Sequence, residues 1–171
     1  MEENAASASR RYLTLTLGQG SCFAIDIFAV REILDFTDIT RVPHMPSAMR
    51  GVVDVRGEAV PVMDLGQRLG LGPVEQTINT RIVIVEQPAD DGKVRLIGAL
   101  AESVREVLEL DDASITPPPS MGVVADTTCI QGISRHNDRF IIVLDTQRLF
   151  SLDEARENAA DAPQDNAADA A

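Results

Sequence analysis

The sequence predicts an all-β protein: two packed five-stranded barrels joined by short helical turns. Three observations carry that expectation. Apolar and polar residues alternate with period two along most of the chain, turn residues punctuate the alternation at short intervals, and an ordered set of motifs occurs twice. About ten short strands with almost no long helix suit small β-barrels better than layered α/β folds.

Leu13, Leu15 and Leu17 alternate with Thr14 and Thr16, and after the turn Gly18-Gln19-Gly20 the alternation resumes at Phe23, Ile25 and Ile27. Ala29 to Leu34 reads as a third strand. Ile39 to Pro46, with Pro43 and Pro46, reads as an extended connector, because proline gives no donor to a sheet interior. Val52–Val55 and Ala59–Met63 flank a hairpin tip at Arg56-Gly57-Glu58, where Gly57 can take positive φ. Asp64 is placed to cap a helical turn over Leu65 to Leu69. Ile82–Glu86 and Arg95–Ala101 form a pair of strands, followed by Val104–Leu110 and a second connector at Pro117-Pro118-Pro119. Ile130–Arg135 and Phe140–Leu144 close the series over His136-Asn137-Asp138.

The repeat is visible by inspection. Val30-Arg31-Glu32-Ile33-Leu34 recurs as Val104-Arg105-Glu106-Val107-Leu108, and Ile39-Thr40 recurs as Ile115-Thr116. Gly51 leads to Asp64 and then Gln67-Arg68-Leu69, as Gly132 leads to Asp145 and then Gln147-Arg148-Leu149. A duplicated five-stranded unit follows, its second half starting near residue 80 within a domain spanning 11–152. Neither unit alone buries much surface, so the two are expected to pack together and leave a groove between them as the first candidate binding site. Residues 1–10 are expected to be a disordered N-terminus. Residues 153–171 form an acidic, Ala-rich tail of net charge −5 that lacks the large apolar groups needed to offset ordering; Leu152 to Asn158 could at most extend a terminal helix.

The chain has 171 residues, a net charge of −12, 44% apolar residues and no Trp. So acidic a protein repels phosphate backbones and anionic lipid, which argues against nucleic-acid and direct membrane binding. No apolar run approaches the length needed to span a bilayer, and Met1-Glu2-Glu3-Asn4 does not open a secretory signal, so a cytoplasmic location is expected.

Catalytic chemistry finds little footing. His44, His136, Cys22 and Cys129 have no zinc-motif spacing, so no metal site is expected, and no cofactor motif is present. The two cysteines lie beside strands, where a free Cys usually serves as a small buried hydrophobe; a thiol enzyme would require a partly exposed thiol of lowered pKa. Asp64 and Asp145 could pass for a carboxylate pair, but each starts a short turn in its own repeat and is explained by capping. Arg56 stands out instead. A tip arginine is ordinarily a solvated charge, yet the second repeat has Asn137-Asp138 at the same tip, so the repeat does not demand arginine there. Glu32, in the strand of the same barrel, can orient its guanidinium.

Eight runs in order resemble the CheW family of bacterial chemotaxis coupling proteins. They are Phe23-Ala24-Ile25-Asp26-Ile27, Val30-Arg31-Glu32-Ile33, Ile39-Thr40-Arg41-Val42-Pro43 and Met49 to Gly57, then Val60-Pro61-Val62-Met63-Asp64-Leu65, Thr80 to Val85, Val104-Arg105-Glu106-Val107-Leu108 and Ile130-Gln131-Gly132-Ile133. The resemblance covers about Tyr12 to Phe150. It implies two intertwined SH3-like barrels and a non-catalytic scaffold that links the cytoplasmic tip of a chemoreceptor to a CheA-type histidine kinase, recruited to membrane-bound receptor arrays. It further implies receptor binding by Val30, Gly51, Arg56, Ile82, Gly98 and Val104, supported by Glu32, with the two glycines permitting close approach. Kinase contact is implied at other barrel edges, through residues such as Ile33 and Leu34. A coupling protein for gliding or pilus motility would share these features.

Overall fold

The computed structural model describes residues 8–119 and 128–151. Its strands, in chain order, are β1 (Ser9–Leu17), β2 (Ser21–Asp26), β3 (Val30–Asp35), β4 (Met49–Val55), β5 (Glu58–Asp64), β6 (Arg81–Pro88), β7 (Val94–Ala101), β8 (Ser103–Asp111), β9 (Ile130–His136) and β10 (Arg139–Leu144). Two single-turn helices, α1 (Leu65–Arg68) and α2 (Thr146–Leu149), follow β5 and β10. The strands form two five-stranded sheets, ordered β8-β1-β2-β10-β9 and β3-β6-β7-β5-β4. The expected tail 153–171, with the possible helical extension past Leu152, lies outside the described residues, as do residues 1–7 of the expected N-terminal segment. Ser9 and Arg10 do not belong to a disordered end. They pair with Asp111 and Leu110, and the Ser9 hydroxyl donates to Glu109 at 2.6 Å.

Each sheet curls and closes on itself in the same way. After β3 the chain crosses to the far edge, where Thr40 and Val52 exchange N–H···O bonds of 2.9 and 2.8 Å. After β8 the pair Thr116 and Ile133 does the same at 2.9 and 2.7 Å. The Ile-Thr pairs of the repeat are thus the closing staples of the two barrels.

The barrels do not divide near residue 80. The central barrel is continuous, from Val30 to Ala101, while the terminal barrel combines β8, β9 and β10 with β1 and β2. The reason lies in where the repeat begins. Its units start at Val30 and Val104, so the second runs out after β10, and the N-terminal hairpin supplies the two missing strands. β2 joins β10 in parallel, as β7 joins β5. The termini therefore interlock with the rest of the chain.

The expected packing of one unit on the other is present. Leu13, Leu15 and Leu17 of β1 and Phe23 and Ile25 of β2 share one buried cluster with Val83, Val85, Ile97 and Ala99 of the central barrel. A smaller cluster of Tyr12, Ala24, Leu110, Ile141 and Val143 fills the terminal barrel. A polar bond also crosses between the two: Arg68 of α1, 7% exposed, donates from Nε to the Leu149 carbonyl at 3.1 Å and from its other end to the Arg148 carbonyl at 3.2 Å. It thereby gives the Leu149 carbonyl at the end of α2 a charged donor and adds one to the Arg148 carbonyl, which also accepts the Ser151 N–H at 3.3 Å. Arg68→Ala is expected to lower stability by about 2 kcal/mol, read by denaturant unfolding, because it strips buried acceptors of a charged donor.

Candidate functional site

The β4–β5 hairpin turns on Arg56 (φ 53) and Gly57 (φ 87), both left-handed, the geometry that matches the twist of the flanking strands. The Asp54 carboxylate accepts the Gly57 N–H at 2.8 Å and fixes the turn. The β9–β10 tip has the same geometry at Asn137 (φ 51) and Asp138 (φ 64). Asn and Asp tolerate this region; arginine does not, and a non-glycine residue there costs roughly 1–2 kcal/mol. The fold therefore has no reason of its own for arginine at position 56.

The Arg56 side chain is 78% exposed and its guanidinium lies 3.2 Å from Glu32 Oε2. Glu32 is much less exposed, and it comes from β3, the edge strand opposite β4 in the central sheet. The pairing expected from sequence is present. An exposed ion pair of this kind contributes at most about 1 kcal/mol, less than the strain it accompanies. Its physical consequence is direction: the carboxylate aims a planar fork of donors outward from the barrel.

The other expected receptor-binding residues divide into two sets. Val30 and Val104 are half-buried at equivalent places in the two barrels and pack against the shared core. Gly51, Ile82 and Gly98 are buried. Ile82 has no exposed surface, and a Cβ on Gly98 would come 2.9 Å from its Cγ2 atom. The close approach that Gly51 permits is to its own chain: a Cβ there would stand 2.0 Å from the Thr40 carbonyl oxygen. Gly51 and Gly98 thus shape the barrel from within. Ile33, at 42% exposure, and half-buried Leu34 lie on β3.

Asp64 caps α1 as expected, accepting the Gln67 N–H at 3.0 Å, but capping is only part of its role. It is fully buried, also accepts the Val74 N–H, and pairs with Arg50 Nε at 2.9 Å. Arg50 in turn donates to the Val74 carbonyl at 2.6 Å. The clamp pins the 69–74 loop beneath the hairpin. Sequence reasoning missed Arg50 because its counterpart in the repeat is Gln131, and nothing in the spacing tied either residue to the cap. Asp145 caps α2 through the Gln147 and Arg148 N–H groups, without a buried ion pair.

Neither cysteine has the surroundings of a nucleophile. Burial pushes the Cys22 thiol above its ordinary pKa, the opposite of activation. Cys129 is buried, and its carbonyl accepts the Asp145 N–H at 2.7 Å as the Ala48 carbonyl accepts that of Asp64. It occupies the place of an alanine. Among the described residues no group of three or more His, Cys, Asp or Glu side chains is arranged to hold a metal ion, and no helix is long and apolar enough to cross a membrane.

Comparison with known proteins agrees with this architecture. The family model for the CheW-like domain matches residues 11–154. A probable chemotaxis protein CheW of Rhizobium etli is 32% identical over 133 residues, spanning 78% of this chain and 83% of that protein. The chemotaxis protein CheW of Klebsiella aerogenes is 29% identical over 148 residues, spanning 86% of each. The crystal structure of the scaffolding protein TtCheW from Thermoanaerobacter tengcongensis superposes with a TM-score of 0.73 at 29% identity, covering 88% of this chain and 94% of that one.

Proposed function

The chain belongs to the CheW-like family of chemotaxis coupling scaffolds, and from that membership we propose that it joins the cytoplasmic tip of a chemoreceptor to a CheA-type histidine kinase without catalysing a reaction. Arg56 is the observation that carries the receptor half of this reading. It is an exposed, aimed guanidinium held at a backbone conformation that disfavours it, where the repeat tolerates Asn-Asp. Strain retained at an exposed side chain points to a use for that side chain.

Receptor tips are helical hairpins, and a helix laid across two barrels needs apolar anchors beside a directing charge. Val30 and Val104 supply the anchors at the rim of the inter-barrel core; its centre is already filled by the β1 and β6 side chains. Gly51, Ile82 and Gly98 act from beneath, by setting the shape of the strands that carry Val30 and Arg56. Kinase contact is assigned to the exposed edge of the central barrel, at Ile33 and Leu34 of β3. Coupling then follows from geometry: a receptor state that binds one arrangement of the bridged assembly better raises the population of that arrangement.

Arg56→Gly separates these roles. Glycine relieves the left-handed strain and loses only an exposed ion pair, so unfolding should show stability unchanged or raised by up to about 1 kcal/mol. Binding to a receptor cytoplasmic fragment, measured by co-sedimentation or calorimetry, should weaken by about 1–3 kcal/mol. Arg56→Glu should weaken it further, through repulsion at the same place. Full binding by both variants moves the receptor site elsewhere.

A further inference from the structure

The two barrels share a backbone plan but not an interior. In the central barrel Ile84 and Leu96 project inward; by strand register their counterparts in the terminal barrel are Thr14 and Cys22. A cavity of about 350 Å³ lies beside Thr14 and Cys22, at the end of the terminal barrel nearest the β1–β2 turn and the β9–β10 tip. Leu108 and Ile141 form its apolar floor, and Cys22 lines its wall.

Charge at this mouth is reversed relative to the central barrel. There, Arg31 pairs with Glu86 at 3.6 Å. Thr16 stands in the place of Glu86, so Arg105, the counterpart of Arg31, has no carboxylate there; Thr16 pairs with Ser103 and is bonded to its hydroxyl at 2.7 Å. Arg139, first residue of β10, stands where β5 begins with Glu58. Among the described residues neither Arg105 nor Arg139 forms an ion pair, although the protein carries a net charge of −12. Both line the cavity with His136 and Asn137. Among the lining residues the two arginines face one carboxylate, Glu106; Glu102, beside the mouth, is engaged by the Gln19 and Gly20 N–H groups, and Thr14 bonds the Glu106 backbone and not its carboxylate.

We propose that the mouth of the terminal barrel is a binding site for a small organic anion, its carboxylate or phosphate held by Arg105 and Arg139 and its short apolar body resting on Leu108 and Ile141. Two guanidiniums that line one cavity and form no ion pair among the described residues are donors open to an outside acceptor. The volume falls within the range of small-ligand pockets. The site is distinct from Arg56 and stands whether or not the receptor reading does.

Cys22 makes the proposal measurable, because its thiol shares the cavity with both arginines. The protein is alkylated with iodoacetate, an anion, and with iodoacetamide, its neutral analogue, and Cys22 is followed by peptide mass spectrometry. The ratio of the two rates cancels the thiolate fraction. Around a protein of this charge the ratio should fall below that of glutathione; with an anion site it should exceed glutathione's by about threefold or more. Arg105→Gln and Arg139→Gln should each reduce it, and inorganic phosphate should slow iodoacetate at Cys22 more than sodium chloride of equal ionic strength. A ratio at or below that of glutathione in the unaltered protein, or no competition by phosphate, overturns the assignment without dependence on any variant's folding.

Discussion

Gly51→Ala lowers the stability of this protein by about 3 kcal/mol or more, the largest effect expected of any substitution that adds a single carbon. Two causes combine. Gly51 has φ +144, a conformation L side chains rarely adopt, and the added Cβ would stand 2.0 Å from the Thr40 carbonyl oxygen and 2.7 Å from its carbon. Those atoms are backbone, so no side-chain rotation relieves the contact. The neighbouring Thr40–Val52 bonds that close the central barrel must lengthen or break. Gly57→Ala is the control: it too has positive φ, at +87, but no atom lies within 4 Å of the added carbon. It should lose about 1 kcal/mol, the conformational penalty alone. Urea unfolding of both variants checks the difference; equal losses would show that barrel closure does not depend on the Gly51 approach. Any loss of receptor binding by Gly51→Ala should track unfolded fraction, unlike the loss expected of Arg56→Gly.

Asp64→Ala is expected to lower stability by about 3 kcal/mol, because it removes a buried carboxylate that accepts from two backbone N–H groups and from Arg50, whose side chain is 36% exposed. The Asp64 carboxylate has no exposed surface and gathers the Arg50 guanidinium and the N–H groups of Gln67 and Val74. Alanine leaves these donors unanswered and frees the 69–74 loop. Asp145→Ala removes the equivalent cap from α2 but no buried ion pair, and should lose about 1 kcal/mol. Thermal unfolding of the two variants should therefore show a wide gap between them. Similar midpoints would mean that the Arg50 contact contributes nothing beyond capping.

The contrast between these aspartates shows how far repeat reasoning reaches. Both capping roles are legible in sequence, because a cap is a local bond between a side chain and backbone a few residues on. The Arg50–Asp64 pair is not, because it joins residues on neighbouring strands and has no echo in the second unit. Arg56 falls between. Its tip position follows from hairpin spacing and Glu32 is expected near it as a member of the same barrel, but the contact and the left-handed backbone at an arginine appear only in the folded structure. The placement of Gly51, Ile82 and Gly98 inside the barrel is likewise a matter of which face each strand turns inward. Resemblance marks a position as important without saying whether it touches a partner or shapes what does.

By itself the sequence determined the all-β class, the ten strands, the two hairpin tips, both caps and the family. All are written in period, turn chemistry and motif order, which act over a few residues. Tertiary structure alone decided that the barrels interlock, with β1 and β2 completing the unit that begins at Val104, because strand partnership depends on which edges remain unpaired once every other strand is placed. It also decided that Arg31 meets Glu86 while Arg105, with Thr16 in the place of that glutamate, forms no ion pair among the described residues. Two identical tripeptides, Val-Arg-Glu, acquire different surroundings because charge pairing across strands is set by register, and register is a property of the closed barrel.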